Sequence, residues 1–182
     1  MPTVVPCEAI DGVVLVHPDV HGDERGCFVE TYRRQWLPLG REMVQANRVD
    51  RQQGAVVGLH FHLHQADYWY VVGGRARVVL HDLRDGSPTE GATFTVDLGD
   101  GDHRHTGVFI PPGVAHGFAA LTDMTMTYLV DGYYNPDDEL GVAWDDPEIG
   151  ADWGVTDPIL SGRDRSNPRR RDLARPRAGL RT

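Results

Sequence analysis

Gly54-Ala-Val-Val-Gly-Leu-His60-Phe-His62-Leu-His64-Gln-Ala-Asp67 is the stretch on which the reading of this chain turns, and Gly74 closes it after six largely apolar residues. His60 and His62 stand two apart, so on a β-strand both side chains leave the same face. Asp67 follows five residues later, at the head of Tyr68-Trp-Tyr-Val-Val72, a second run that reads as a strand. A further histidine, His116, lies far downstream in Ile110-Pro-Pro-Gly-Val-Ala-His116-Gly-Phe118. Two histidines on one strand face, a carboxylate on the next strand and a distant histidine make a ligand set for one divalent metal ion. Each residue also has a plainer role: cavity lining for His62, an exposed strand start for Asp67, a hydrogen-bonded place in the wall for His116.

The chain has 182 residues, 40% of them hydrophobic, enough for one domain with a real core. Its net charge of −9 argues against wholesale binding to nucleic acid. Arginine gathers towards the C-terminus, so the expected division is a single domain over 1–168 and a basic, mobile tail over 169–182. Cys7 and Cys27 form no disulfide framework and read as buried apolar fillers. No signal peptide is recognised and no apolar run approaches the ~18 residues of a membrane span, so the expectation is a cytoplasmic protein without a membrane partner.

Gly, Pro, Asn and Asp clusters punctuate short runs rich in Val, Phe, Tyr and Thr: Val13–Val16, Cys27–Tyr32, Ala55–His62, Tyr68–Val72, Arg75–Leu83, Ala92–Leu98, Thr106–Ile110, Gly117–Leu121 and Met124–Val130. Many short strands at this spacing predict an all-β antiparallel sandwich or barrel, best a jelly roll with its ligand cavity in the barrel mouth. One short helix is expected at Arg33–Gly40. His17, His21, His64, His103 and His105 fall in stretches that read as loops, and Trp69, Tyr68 and Tyr70 as core aromatics.

The spacing G-x5-H-x-H-x4-D-x6-G, followed by P-x-G-x2-H, resembles the paired motifs of the cupin superfamily, with Asp67 where Glu is usual. Further segments sit in register with one cupin-fold group: Asp23-Glu-Arg25-Gly26-Cys-Phe28-Val-Glu30, Gln45-Ala-Asn47, Gly58-Leu-His60-Phe61, Asp82-Leu-Arg84-Asp-Gly-Ser-Pro88, Tyr128, Tyr133-Tyr134-Asn-Pro136, Trp144-Asp-Asp-Pro147-Glu-Ile-Gly150, Trp153 and Leu160-Ser-Gly-Arg-Asp164. Together, from about Val14 to about Pro168, they resemble the dTDP-4-dehydrorhamnose 3,5-epimerase family. The resemblance implies a metal-free isomerase acting on a dTDP-4-keto-6-deoxy sugar. It assigns His60 as the base, Asp164 as the carboxylate that orients it, and Tyr128 as the acid on the opposite face. It also implies sugar-nucleotide contacts from Arg25, Phe28, Glu30, Gln45, Asn47, His116 and Tyr134, and a homodimer built by exchange of an N-terminal strand.

Four positions depart from the family pattern. Val57 stands where an Arg reaches phosphate, Asp67 where a Lys stabilises the enolate, His62 replaces a Gln and Val78 an Asp. Loss of a cation at an enolate costs roughly 3–4 kcal/mol of transition-state stabilisation. One divalent metal ion held by His60, His62, Asp67 and His116 would replace that charge, but a metallated His60 cannot also be the base. Two chemistries therefore stand side by side: an epimerase with His60 free, or a metal cupin acting on another small molecule. A sugar-nucleotide-binding member without activity is the third reading.

Overall fold

The β-branched and aromatic runs fold into thirteen strands among the described residues, which in this computed structural model are 1–37, 41–101 and 105–173. They are β1 (Thr3–Pro6), β2 (Val14–His17), β3 (Val20–Asp23), β4 (Gly26–Val29), β5 (Gln45–Arg51), β6 (Val56–Phe61), β7 (Asp67–Gly73), β8 (Arg75–Asp82), β9 (Thr93–Gly99), β10 (Gly107–Ile110), β11 (Val114–Ala120), β12 (Met124–Val130) and β13 (Leu140–Gly141). A five-residue helix, α1 (Gly162–Ser166), follows, and short 3-10 turns lie at Arg34–Trp36, Pro136–Asp138 and Arg170–Asp172. One sheet runs in the order β1-β2-β10-β7-β12-β5, a second in the order β13-β6-β11-β8-β9, and β3 with β4 forms a separate hairpin. All sheet pairings are antiparallel. The architecture is the expected jelly roll.

Sequence pattern explains the layers. Along β7 the alternation sends Trp69 and Val71 into the space between the two sheets, where they meet Val78, Leu80, Val108, Phe118 and Met126. Tyr68 and Tyr70 leave by the other face and pack with Val14, Val16, Phe109, Trp36 and Leu37. The outer face of the second sheet is covered too, by Val142, Ile149 and Trp153 against Leu59, Phe61, Val79 and Ala119. A strand buried on both faces loses its polar alternation, which is why these runs read as almost continuously apolar.

Several expectations are corrected. The helix predicted over Arg33–Gly40 is only the turn Arg34–Trp36, because Leu37 precedes Pro38 and is extended (φ −88°, ψ 144°); residues 38–40 lie outside the described residues. β1, β3, β5 and β13 were not anticipated: β5 is largely polar, β1 and β3 are exposed throughout, and β13 has two residues. His17 and His21 therefore sit in strands rather than loops. Cys27 is exposed rather than buried, and Cys7 is half-buried at the core's edge. The expected tail begins docked: Arg169 pairs with Asp145 at 2.8 Å, the Arg170 amide donates to Asp146 at 2.6 Å, and Leu173 packs on the outer core. Residues 174–182 and His103 lie outside the described residues.

Asp82 closes β8 and organises the turn that follows. Its buried carboxylate accepts from Arg84 Nε and Nη2, both at 2.8 Å, from Ser87 Oγ at 2.6 Å and from Thr89 Oγ1 at 2.7 Å. Burial works to raise this carboxyl, but the guanidinium and the two hydroxyls outweigh it and hold it down to about 2. A lowered folded-state value gives stability that is complete above the unfolded value of 3.8 and lost as pH falls through about 2. Asp82→Asn is expected to cost about 2 kcal/mol at neutral pH and to flatten the pH dependence of urea unfolding over that interval. An unchanged pH dependence in the variant would contradict this role.

Candidate active site

β6 and β11 approach each other closely enough to set His60 directly opposite His116 in the register. The approach needs two glycines. Gly58 has φ +117°, and a Cβ there would meet Gly117 Cα at 2.8 Å and His116 O at 2.9 Å; a Cβ on Gly117 would lie 2.6 Å from Val57 O. The irregular register between His116 and Phe118 sits beside this contact, as bulges often sit beside sites. Facing this wall across the barrel are β7, β12 and β5. Between them lies a partly open cavity lined by His60, His62, Asp67, His116, Tyr128 and Glu139 among others.

His60 is fixed from outside the cavity. Its Nε2 donates to Asp164 Oδ1 at 2.6 Å, across 104 residues of sequence. Asp164 sits in α1, whose N-cap Ser161 accepts from the Asp164 amide at 3.0 Å and returns its own hydroxyl to Asp164 Oδ2 at 2.8 Å. Burial works to raise the Asp164 carboxyl, but the hydrogen bonds from His60, Ser161 and the Gly58 amide hold it below the usual carboxylate range. An ionised Asp164 can only accept, so the His60 proton is on Nε2 and the lone pair is on Nδ1. This is an imidazole held in one tautomer by a buried carboxylate, with a lone pair able to take a proton.

His62, Asp67 and His116 form a second group. His62 Nδ1 lies 2.8 Å from Asp138 O and His116 Nδ1 lies 3.0 Å from Val114 O. A carbonyl accepts only, so both rings donate through Nδ1 and turn Nε2 towards Asp67, at 3.9 Å and 4.0 Å from its carboxylate. Asp67 is itself anchored by Gln65 Nε2 at 2.9 Å and Trp69 Nε1 at 3.0 Å, so it is buried and not the exposed strand start its position suggested. Burial pushes the His116 imidazole down to about 4, against the pull of Asp67. The four-residue metal set is thereby corrected: ligand atoms of His62, Asp67 and His116 lie within 4.8 Å of one another, while His60 belongs to Asp164. Ligands sharing a tetrahedral zinc at ~2.0–2.1 Å are roughly 3.3 Å apart, so the trio is too widely spaced for one ion as it stands.

Tyr128 enters from β12, on the wall opposite His60. Burial, then Asp67 and Glu139, raise its hydroxyl above the ordinary value, so it stays protonated and able to donate. Gln45 and Asn47, joined at 2.9 Å, lie on β5 beside Tyr128 and share a strand face with the cavity residues Val49 and Arg51. Arg25, Phe28, Glu30 and Tyr134 do not line the cavity of this chain. Arg25 forks onto Asp23, Glu30 pairs with Arg33 at 2.6 Å, and Phe28 and Tyr134 are exposed. His64 is exposed as expected, whereas His105 meets the Tyr70 hydroxyl at 2.9 Å.

Sequence reasoning missed Asp138 and Ser161. Asp138 takes the amides of Leu63, His64 and Gln65 and, through its carbonyl, the His62 ring, pinning the loop between β6 and β7. The only signal for it was the helix-starting pattern Asn135-Pro136. Ser161 was legible as the head of Ser161-Gly-Arg-Asp164, an N-cap spacing.

The family model described as dTDP-4-dehydrorhamnose 3,5-epimerase matches residues 8–172. A protein of that name from Methanothermobacter thermautotrophicus is 38% identical over 167 residues, 87% of this chain and 89% of its own length. The dTDP-4-dehydrorhamnose 3-epimerase of Streptomyces niveus is 39% identical over 163 residues, 85% of this chain and 78% of its own. Among solved structures, the dTDP-6-deoxy-D-glucose-3,5-epimerase of Legionella pneumophila in complex with dTDP-4-keto-L-rhamnose superposes with a TM-score of 0.89 at 30% identity. That match covers 98% of this chain and 99% of the other.

The site geometry predicts the metal content of protein purified without an affinity tag or chelator. Elemental analysis should find less than about a tenth of an equivalent of transition metal per chain. Near one equivalent, lost in His62→Gln, would restore the metal reading.

Proposed function

This chain belongs to the dTDP-4-dehydrorhamnose 3,5-epimerase family, and from that premise we propose that it inverts carbon 3, carbon 5 or both of a dTDP-4-keto-6-deoxyhexose. The observation that carries the reading is the His60–Asp164 pair facing Tyr128 across one cavity.

His60 Nδ1 takes the proton from the carbon beside the 4-keto group, and the electron pair moves into the carbonyl to form an enolate. The imidazolium that results is stabilised by the ionised Asp164. Tyr128 returns a proton to the other face of the same carbon, and the enolate collapses to the ketone. The product has the substrate's formula with one centre inverted. Only protons move, between two side chains, so the reaction calls on no redox cofactor. Gln45, Asn47, Arg25, Phe28, Glu30 and Tyr134 are proposed to hold the nucleotide, and His116 the sugar.

We further propose a cytoplasmic homodimer. β1 is an open sheet edge, and Val4, Val5, Val20 and Phe28 expose their apolar side chains around it and the β3–β4 hairpin. A second copy covering that face would bury them. No helix among the described residues is long and apolar enough to cross a membrane.

In heavy water the wild-type protein should incorporate deuterium at carbon 3 or 5 of dTDP-4-keto-6-deoxyglucose, and His60→Ala should abolish it. Tyr128→Phe should keep the exchange at the deprotonated carbon while losing inverted product by ~10²-fold or more. Nucleotide binding without any exchange in the wild type would instead mark an inactive binding member.

A further inference from the structure

We propose that His62, Asp67 and His116 form a subsite for a primary ammonium group carried on the sugar ring of the substrate. The inference rests on the epimerase reading and narrows it to amino sugars.

Three hydrogen-bond acceptors face one another here, at separations too long for hydrogen bonds among themselves. Both imidazoles have committed their Nδ1 protons to backbone carbonyls, so each presents an Nε2 lone pair to the Asp67 carboxylate at 3.9 Å and 4.0 Å. His62, Asp67 and His116 are 5%, 3% and 5% exposed, so bulk water does little to screen the arrangement. Gln65 and Trp69 hold the carboxylate in place, and it cannot turn away from the two rings. Glu139 adds a second carboxylate 3.8 Å from the His62 ring. Buried acceptors facing one another are costly unless a donor or a positive charge fills the gap.

The number of acceptors selects the occupant. A primary ammonium offers three donors, and the trio offers three acceptors. Acceptors each ~2.8 Å from one tetrahedral nitrogen lie roughly 4.6 Å apart, so the two rings need open by only about half an ångström to seat it. The ligand atoms here lie within 4.8 Å of one another, with 3.9 Å and 4.0 Å the two contacts to Asp67. A hydroxyl brings one donor and leaves two acceptors unmet. The trio lines the same cavity as His60, so an ammonium seated on it holds the ring against the wall that carries the base. It also supplies positive charge near the developing enolate in a chain that contains no lysine.

Calorimetric titration tests the proposal with three ligands: dTDP, a dTDP-6-deoxyhexose bearing a ring amino group, and its hydroxyl counterpart. The amino compound should bind the wild-type protein roughly tenfold or more tighter than the hydroxyl compound. That preference should vanish in Asp67→Asn. Should the variant fail to fold, the wild-type comparison decides alone. Equal or weaker binding of the amino compound would overturn the proposal, as would a metal ion found on the trio at one per chain. If both sugars bind equally and dTDP-4-keto-6-deoxyglucose undergoes exchange, the ammonium subsite fails and the epimerase reading stands. If no dTDP compound binds, both fall together.

Discussion

A single hydrogen bond, His60 Nε2 to Asp164 Oδ1 at 2.6 Å, joins parts of the chain 104 residues apart, and much of the surrounding architecture serves to hold it. On the His60 side, a glycine pair lets β6 and β11 approach without Cβ atoms between them. On the Asp164 side, a five-residue helix capped by Ser161 presents the carboxylate at fixed height. Such a helix has little stability of its own. It persists because its aspartate is tied to the barrel wall and because flanking segments pack on the outer face of the second sheet, Leu160 on one side and Leu173 on the other.

The tie has a chemical consequence. An imidazole has two nitrogens, and which one is basic depends on what the other donates to. Here the carboxylate claims Nε2, so Nδ1 keeps its lone pair. The same logic, applied to His62 and His116, gives the opposite tautomer, because their Nδ1 atoms face carbonyls. One cavity thus contains a histidine poised to accept a proton with a carboxylate behind it, and two histidines whose lone pairs surround a different carboxylate. Asp67 is not a substitute for Asp164. It faces His62 and His116 at 3.9 Å and 4.0 Å, while the His60 ring pairs with Asp164.

Much of this was legible in the sequence and some was not. The His60-Phe-His62 spacing put two rings on one cavity, although β6 ends at Phe61 and His62 lies just past it, and the apolar run Tyr68–Val72 announced a strand. The split between those two histidines was invisible, because it depends on Asp164 and on the Asp138 carbonyl, each far away in sequence. Asp164 was reached through family resemblance rather than local pattern. β5 was missed because Gln45–Arg51 is mostly polar, as a sheet-edge strand with one wet face should be. The helix expected from Arg33 failed at Pro38, a signal that was present in the sequence and outweighed the local composition.

The central claim is that His60 is a base at Nδ1 because Asp164 holds its Nε2 proton. Long-range proton–nitrogen correlation NMR of the histidine rings reads that tautomer directly at pH 8. The account predicts His60 protonated at Nε2, with Nδ1 bare, and loss of that fixed tautomer in Asp164→Asn. A His60 ring protonated at Nδ1 in the wild-type protein would contradict it.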